Sequence, residues 1–575
     1  GGDFEQFVST QSSTVDGKTI YIHVGSNVRI QSFGLGTHGD GKQSTPHIPV
    51  SVTGGAYKEF YLSGTYNQDA AVKQNDNAEC YISGGYFEEA AGASQEQIDG
   101  SVTWQIYDAD MDAFYGGGVN AAKPITGDVT VNIFNSHVGV YCGGPKFGDM
   151  QPGKKVTTNA EGCTFTKYFG AGYGGTSYSR KKYYDSQTTN WSDWAKNFTD
   201  ENDRGKYFDG KTTDAVSASY GKKGVGVATD VDYEFFAWSS GGTGGRFYVK
   251  FASFSLAACN DVESNLKGCT IDENFYGGGS YGEVKGKATS VLDGCTVHGN
   301  VFGGGFSATL PKVKVRKTPP FTTYPNINQY SGMFEPGVLA DYEPIEFEWK
   351  RASDFDVTLT DKQSGSDMSN HYLYTDVDLT ALGKVGSTEL TIKGNTLVEG
   401  KIFDADGNDT GEQSGGVFGG GDESAVNHNT EVKIEATASD GVLNVFGGGN
   451  KADVLEDATV TITGGTVGSS ADGSDTNGNV YGGGKGASTV VGGDVFVYLG
   501  TKSGEAPSFT YTGDGVVKHY VYGGSAFGAV NATKDPTTGN LTLTTGKTTT
   551  LNIYKGRIDG KAFGGGLGQK AVGSS

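Results

Sequence analysis

Gly268-Cys269-Thr270-Ile271-Asp272-Glu273-Asn274-Phe275-Tyr276-Gly277-Gly278-Gly279 returns 26 residues later as Gly294-Cys295-Thr296-Val297-His298-Gly299-Asn300-Val301-Phe302-Gly303-Gly304-Gly305. A small corner, a two-residue apolar step, an aromatic and a glycine run recur in the same order. The aromatic–glycine signature extends outward in both directions, at Tyr115, Tyr141, Phe169, Phe418, Phe446, Tyr481, Tyr522 and Phe563. Gly-Cys-Thr recurs at Cys163, and Gly464 to Val467 occupies the same slot. Alternating stretches precede these units, such as Val129 to Ile133, Val432 to Ile434, Val460 to Ile462 and Leu551 to Ile553.

Period-two alternation with breakers at fixed places, and no 3.6-residue pattern between them, predicts an all-β chain. The simplest architecture is a parallel β-helix, or solenoid, of ~26-residue coils, each with two or three short strands. Coils stacked at ~4.8 Å would put aromatic on aromatic, Val/Ile on Val/Ile and Cys on small residues. The glycines have two mechanical readings. Either a corner needs positive φ, or closely stacked corners leave no room for a Cβ. A phosphate-cradling loop would need a helix after the glycines, and no such pattern follows.

Two stretches interrupt the repeat. The expected organisation is N-terminal coils over 1–176, an aromatic-rich insertion over 177–255 and coils over 256–306. A Pro-rich insertion follows over 307–383, then coils over 384–575. The first insertion carries Tyr183, Tyr184, Trp191 and Trp194 among Lys181, Lys182, Asp185 and Asp193. Aromatics interleaved with charge suit a sugar or protein ligand, and equally the small core of the insertion itself. The chain opens on Gly1-Gly2-Asp3, as after Phe418, and closes soon after Phe563-Gly564-Gly565-Gly566. That pattern reads as a fragment of a longer chain.

The 575 residues carry a net charge of −21, which argues against nucleic-acid partners. No run approaches ~18 apolar residues, so no membrane-inserted helix is expected. The six cysteines form no disulfide framework; Cys269 and Cys295, one repeat apart, are expected as stacked, buried free thiols. Two groups of acids draw attention. Asp108, Asp110 and Asp112 alternate along a predicted strand and would share a face. They are the candidate acids of a hydrolase, or a plain solvated row. Asp404, Asp406 and Asn408 resemble a truncated calcium loop, or a polar turn. Calcium is the one metal suggested; otherwise no cofactor is.

The runs Thr459 to Gly465 and Asn479 to Gly484 resemble Gly-rich repetitive surface proteins of Bacteroidetes-type bacteria, within the broad pectate-lyase-like β-helix group. The resemblance covers about two thirds of the chain and excludes both insertions. It implies secretion, or display at the cell surface. The expected function is that of an adhesin-like protein presenting loops to a glycan or to a host or bacterial surface protein. Polysaccharide lyases, glycoside hydrolases and trimeric phage tailspikes share the architecture, which does not fix function. The sequence leaves the oligomeric state open.

Overall fold

A computed structural model of the chain describes residues 2–9, 22–35, 49–63, 73–74, 77–94, 97–120, 124–185, 233–238, 244–307, 313–316, 347–350, 373–374, 383–404, 407–469, 477–535 and 538–568. Among the described residues the regular elements are strands and none is a helix. Two long parallel sheets dominate, one of 17 strands and one of 13. In the second sheet each repeat supplies one strand, and strand order follows chain order. It runs from Ile22–Val24 through Val102–Tyr107, Val129–Phe134, Lys155–Glu161, Asp261–Lys267 and Val284–Asp293 to Thr549–Ile553. A further line of isolated parallel bridges joins Val385, Val426, Val454 and Val491.

The alternation seen in the sequence sets which side chains face the core. In Val102–Tyr107 and Val129–Phe134 every second residue is buried. The registers align Ile106, Ile133, Ala160, Leu266, Leu292, Ile392, Ile434, Ile462 and Leu499 in one buried line. Each Ile or Leu so buried contributes roughly 1.5–3 kcal/mol of transfer free energy. A one-residue slip would turn the whole line outward, so the register is strongly specified.

The aromatics form two ladders. An inner one runs Phe114, Tyr141, Tyr168, Phe275, with ring centroids 5.5, 4.8 and 4.7 Å apart. An outer one runs Phe169, Tyr276, Phe302, Phe418, Phe446, Tyr481, Tyr522, Phe563, at 4.5–5.2 Å and within 17° of parallel. Such pairs contribute about 0.5–1.5 kcal/mol each beyond area burial. Where Cys142 interrupts the outer ladder, Tyr173 packs edge-on against Tyr115 and Phe169, at 6.0 and 6.2 Å.

The inner ladder faces a line of small hydroxyl residues. The Tyr141 hydroxyl is 2.7 Å from Thr158 Oγ1, and the Tyr168 hydroxyl donates to Ser264 Oγ at 2.9 Å. One layer on, the ring is Phe275 and the facing residue is Ser290, whose buried Oγ has no hydrogen-bond partner. Phe275→Tyr is therefore expected to stabilise the protein by about 1 kcal/mol. Thermal melts of Phe275→Tyr beside Tyr168→Phe check this: the first should rise and the second fall.

The glycines divide into two classes. Gly162, Gly268 and Gly294, at the corner before Cys163, Cys269 and Cys295, have φ of 66°, 58° and 65°. The first glycine after each outer-ladder aromatic has no positive φ; from Gly170 to Gly523 a Cβ is excluded by stacking instead. A Cβ on Gly170 would lie 2.5 Å from the carbonyl oxygen of Gly277, and one on Gly303 2.5 Å from that of Gly419. Both mechanical readings of the sequence thus apply, each to its own corner.

The corner after the positive-φ residue holds small side chains in line. Ser136, Cys163, Cys269 and Cys295 are followed by Thr396, whose hydroxyl accepts from the Cys295 N–H at 3.1 Å. All six cysteines are buried free thiols. Contact with Cys269 and burial push the Cys163 and Cys295 thiols well above the usual range. They pack as small apolar side chains, not as nucleophiles.

By its contacts the chain divides into two units: Gly1–Gly174, Leu256–Ala308 and Ala381–Ser575 form one, Gly175–Ser255 and Thr309–Thr380 the other. The second unit is mainly antiparallel where described, the exception being Leu373–Tyr374, which pairs in parallel with Gly244–Ser255. Gly175–Asp185 pairs with Gly244–Ser255, which also pairs with Tyr233–Trp238, and Val313–Arg316 pairs with Phe347–Lys350.

Candidate functional site

In the first unit, consecutive strands Ala56–Tyr61, Tyr86–Ala91 and Asp110–Tyr115 stack in parallel in the 17-stranded sheet. Their first positions line up across the outer face as Arg29, Ala56, Tyr86, Asp110 and His137. Their third positions, all exposed, are Lys58, Glu88 and Asp112. Ala56 is the small member of the first row. Between Arg29 and Tyr86 its methyl leaves room for a side chain, and an open groove of about 630 Å³ lies there. Phe4, Arg29, Gln31, Lys58, Tyr86 and Glu88 are among its walls. Tyr86 is 38% exposed on this face.

The predicted acids adjoin this groove, with one departure from expectation. Asp110 and Asp112 share the exposed face of their strand, as alternation requires. Asp108 does not join them. It stands in the turn before the strand with φ 53°, the left-handed corner occupied by Gly162, Gly268 and Gly294 in later repeats. Asp and Asn adopt that conformation more readily than other side chains, and Asn135 at φ 47° fills the same corner one repeat on. Asp110 Oδ1 lies 2.8 Å from His137 Nδ1. The Tyr86 hydroxyl donates to Asp112 Oδ2 at 2.6 Å, and this bond first among other causes pushes its pKa up to about 12. Four adjacent strands thus supply two cations, a ring and Glu88 to the groove, with Asp110 and Asp112 beside it.

The other sequence candidates separate. Tyr183 and Tyr184 fall on Gly175–Asp185, where the register shifts between Lys182 and Tyr184; Trp191 and Trp194 lie outside the described residues. Asp404 and Asn408 close the turn between Lys401–Phe403 and Asp409–Gln413. The Asp404 carboxylate accepts from the Asn408 N–H at 2.9 Å and from its side-chain amide at 3.1 Å, the bonding of a capped polar turn. Asp406 lies outside the described residues. Among the described residues no three His, Cys, Asp or Glu side chains gather as a metal-binding group.

One further constellation was not singled out from the sequence. Adjacent layers bring together Lys167 and Glu273 at 3.4 Å, His298 and Glu399 at 3.2 Å, and Lys401 and Glu399 at 2.9 Å. Burial raises the Glu273 carboxyl above its ordinary range. Burial acts on Glu399 in the same sense, but hydrogen bonds from Lys401 and His298 outweigh it and hold that carboxyl below the range. The only sequence signal was positional: Glu273, His298 and Glu399 follow the same corner in three successive repeats. No family model, no curated protein and no solved structure matches the chain.

Proposed function

We propose that the first unit winds as a parallel β-helix and that the protein is a secreted or cell-surface, adhesin-like binder of glycans. The groove over Ala56 carries this reading. Arg29 and Lys58 supply donors for an anionic group, Gln31 and Glu88 meet hydroxyls, and the Tyr86 ring offers an apolar face. Ladders and stacked corners occupy most of the repeat, which favours a scaffold that presents surfaces. The resemblance to repetitive surface proteins agrees with display outside the cell, and a surface protein of a host or another bacterium is the alternative partner.

A glycan array with acidic and neutral polysaccharides tests the reading. The protein should bind acidic glycans, and Arg29→Ala with Lys58→Ala should weaken that binding at least tenfold, since both side chains are exposed at the outer face. Unchanged binding by the double variant would remove the groove from the site.

A second reading, cleavage of a polysaccharide, is favoured by one observation. Glu273 and Glu399 have carboxyl pKa values displaced in opposite directions, the division of labour that an acid and a base require. Release of reducing ends or unsaturated products from the same polysaccharides would place this reading first.

A further inference from the structure

The outer face of the 13-stranded sheet changes character in its later strands. From Lys155–Glu161 to Thr430–Ile434 it is laced with ion pairs: Lys155 meets Glu263, Glu389 meets Lys287 and Lys433, and Lys433 meets Glu431. Val495–Leu499 instead turns Phe496 and Tyr498 outward. The registers set Thr459 and Thr550 on either side of Phe496, and Thr461 and Asn552 on either side of Tyr498. The two rings are 6.1 Å apart and within 9° of parallel. Tyr554 continues the row at 6.3 Å and 17° from Tyr498. Tyr511, from the hairpin of Thr501–Ser503 and Thr510–Thr512, adds a ring 6.1 Å from Tyr554 and is 44% exposed. Phe509 ends the group, with Lys502 Nζ 3.6 Å above its ring.

We infer that this face is a second carbohydrate-binding site, one that takes a neutral polysaccharide along the row Phe496, Tyr498, Tyr554 and Tyr511. The inference rests on the glycan reading above and adds to it a separate surface and a different ligand class. Three observations point to a sugar chain. First, Phe496, Tyr498 and Tyr554 are near-parallel at a 6 Å pitch, with Tyr511 tilted 35° beyond them; such rings offer repeated apolar faces, and pyranose rings present repeated C–H faces. Second, hydroxyl and amide groups alternate with the rings. Protein interfaces instead segregate an apolar centre from a polar rim. Third, the side chains flanking the rings in the sheet are uncharged, whereas the groove over Ala56 is charged. Lys502, on the hairpin that carries Tyr511, is engaged over Phe509.

Affinity electrophoresis of the 575-residue protein in gels containing hydroxyethylcellulose, mannan or polygalacturonate tests this. The wild type should be retarded by at least one of the two neutral polymers. Tyr498→Ala with Tyr511→Ala should abolish that retardation, a loss of at least tenfold in affinity, and leave binding to polygalacturonate unchanged. Tyr511→Ala alone, at an exposed hairpin position, should give a partial loss at an unchanged melting temperature. Retardation by the acidic polymer only would overturn the inference and leave the groove reading intact. Binding to none of the three would sink both. Neutral-polymer binding that survives the double substitution would also overturn it.

Discussion

Gly170→Ala is expected to destabilise the protein by about 3 kcal/mol or more, the upper end of overpacking costs. The added methyl would sit 2.5 Å from the Gly277 carbonyl oxygen and 2.8 Å from Ser264 Oγ. The carbonyl is part of the next layer's backbone and cannot rotate aside as a side chain would. Its oxygen also accepts no substitute geometry cheaply, because the layers are locked by parallel pairing on both sides of the corner. Gly564→Ala is the internal control. It occupies the same ladder position, follows Phe563, and its Cβ meets nothing within 4 Å. That substitution is expected to fall within about ±0.5 kcal/mol, as for open surface positions. Urea melts of the two variants separate a stacking requirement from a conformational one, since neither glycine has positive φ. Equal losses would refute the stacking account.

Asn300→Ala should cost about 2–4 kcal/mol. The Asn300 side chain is buried at a corner and spans three layers. Its Oδ1 accepts from the Gly416 N–H at 2.8 Å, and its amide donates to Asn274 Oδ1 and to the Lys401 carbonyl, both at 3.2 Å. Removing it leaves the buried Gly416 N–H without this partner, at a cost of about 1–3 kcal/mol, and takes a donor from the part-buried Lys401 carbonyl. The device repeats: the Asn479 N–H donates to Asn444 Oδ1 at 3.0 Å, and the Tyr520 N–H to Asn479 Oδ1 at 3.2 Å. Asn300→Asp keeps the acceptor, loses both donors and buries a charge. It should therefore lose stability as pH rises through the carboxyl's pKa, a dependence that Asn300→Ala would not show. Melts of both variants across pH 4–8 check this.

Much of the architecture could be read from the chain. Strand alternation, the layer-by-layer stacking of Tyr276 on Phe302, and the burial of Cys269 and Cys295 all follow from a period visible by eye. The asparagine before Val-Phe or Val-Tyr was equally visible at Asn300, Asn444 and Asn479, yet carries no meaning until the next layer's N–H is placed over it. Asp108 shows the opposite failure. Local alternation puts it in line with Asp110 and Asp112, but the corner's left-handed backbone takes it out of the row. The groove could not be read at all. It exists because Ala56 falls between Arg29 and Tyr86, residues 27 and 30 positions away in the sequence, and only the register brings them together. The ligand face at Phe496 and Tyr498 was legible as two aromatics on a strand, but its flanking threonines come from positions 37 and 54 residues away.

The two insertions have a kinetic consequence. Neighbouring layers usually meet across about one repeat: Asn132 and Asn159, which share a hydrogen bond, are 27 residues apart. Across the first insertion the same ladder joins Asn159 to Asn265, 106 residues apart, and across the second Thr396 caps Cys295 from 101 residues away. Each fourfold lengthening adds roughly 1.2 kcal/mol of loop-closure entropy, at ~0.6 kcal/mol per doubling. That penalty is small against a seven-residue strand pairing, so the finished stack tolerates it. It falls entirely on the search that precedes pairing. Zippering from layer to layer can proceed within each of the three segments, 1–174, 256–308 and 381–575, but must pause twice for a long-range encounter. The chain is thus expected to assemble as three blocks joined at two slow seams, and to part first at those same seams.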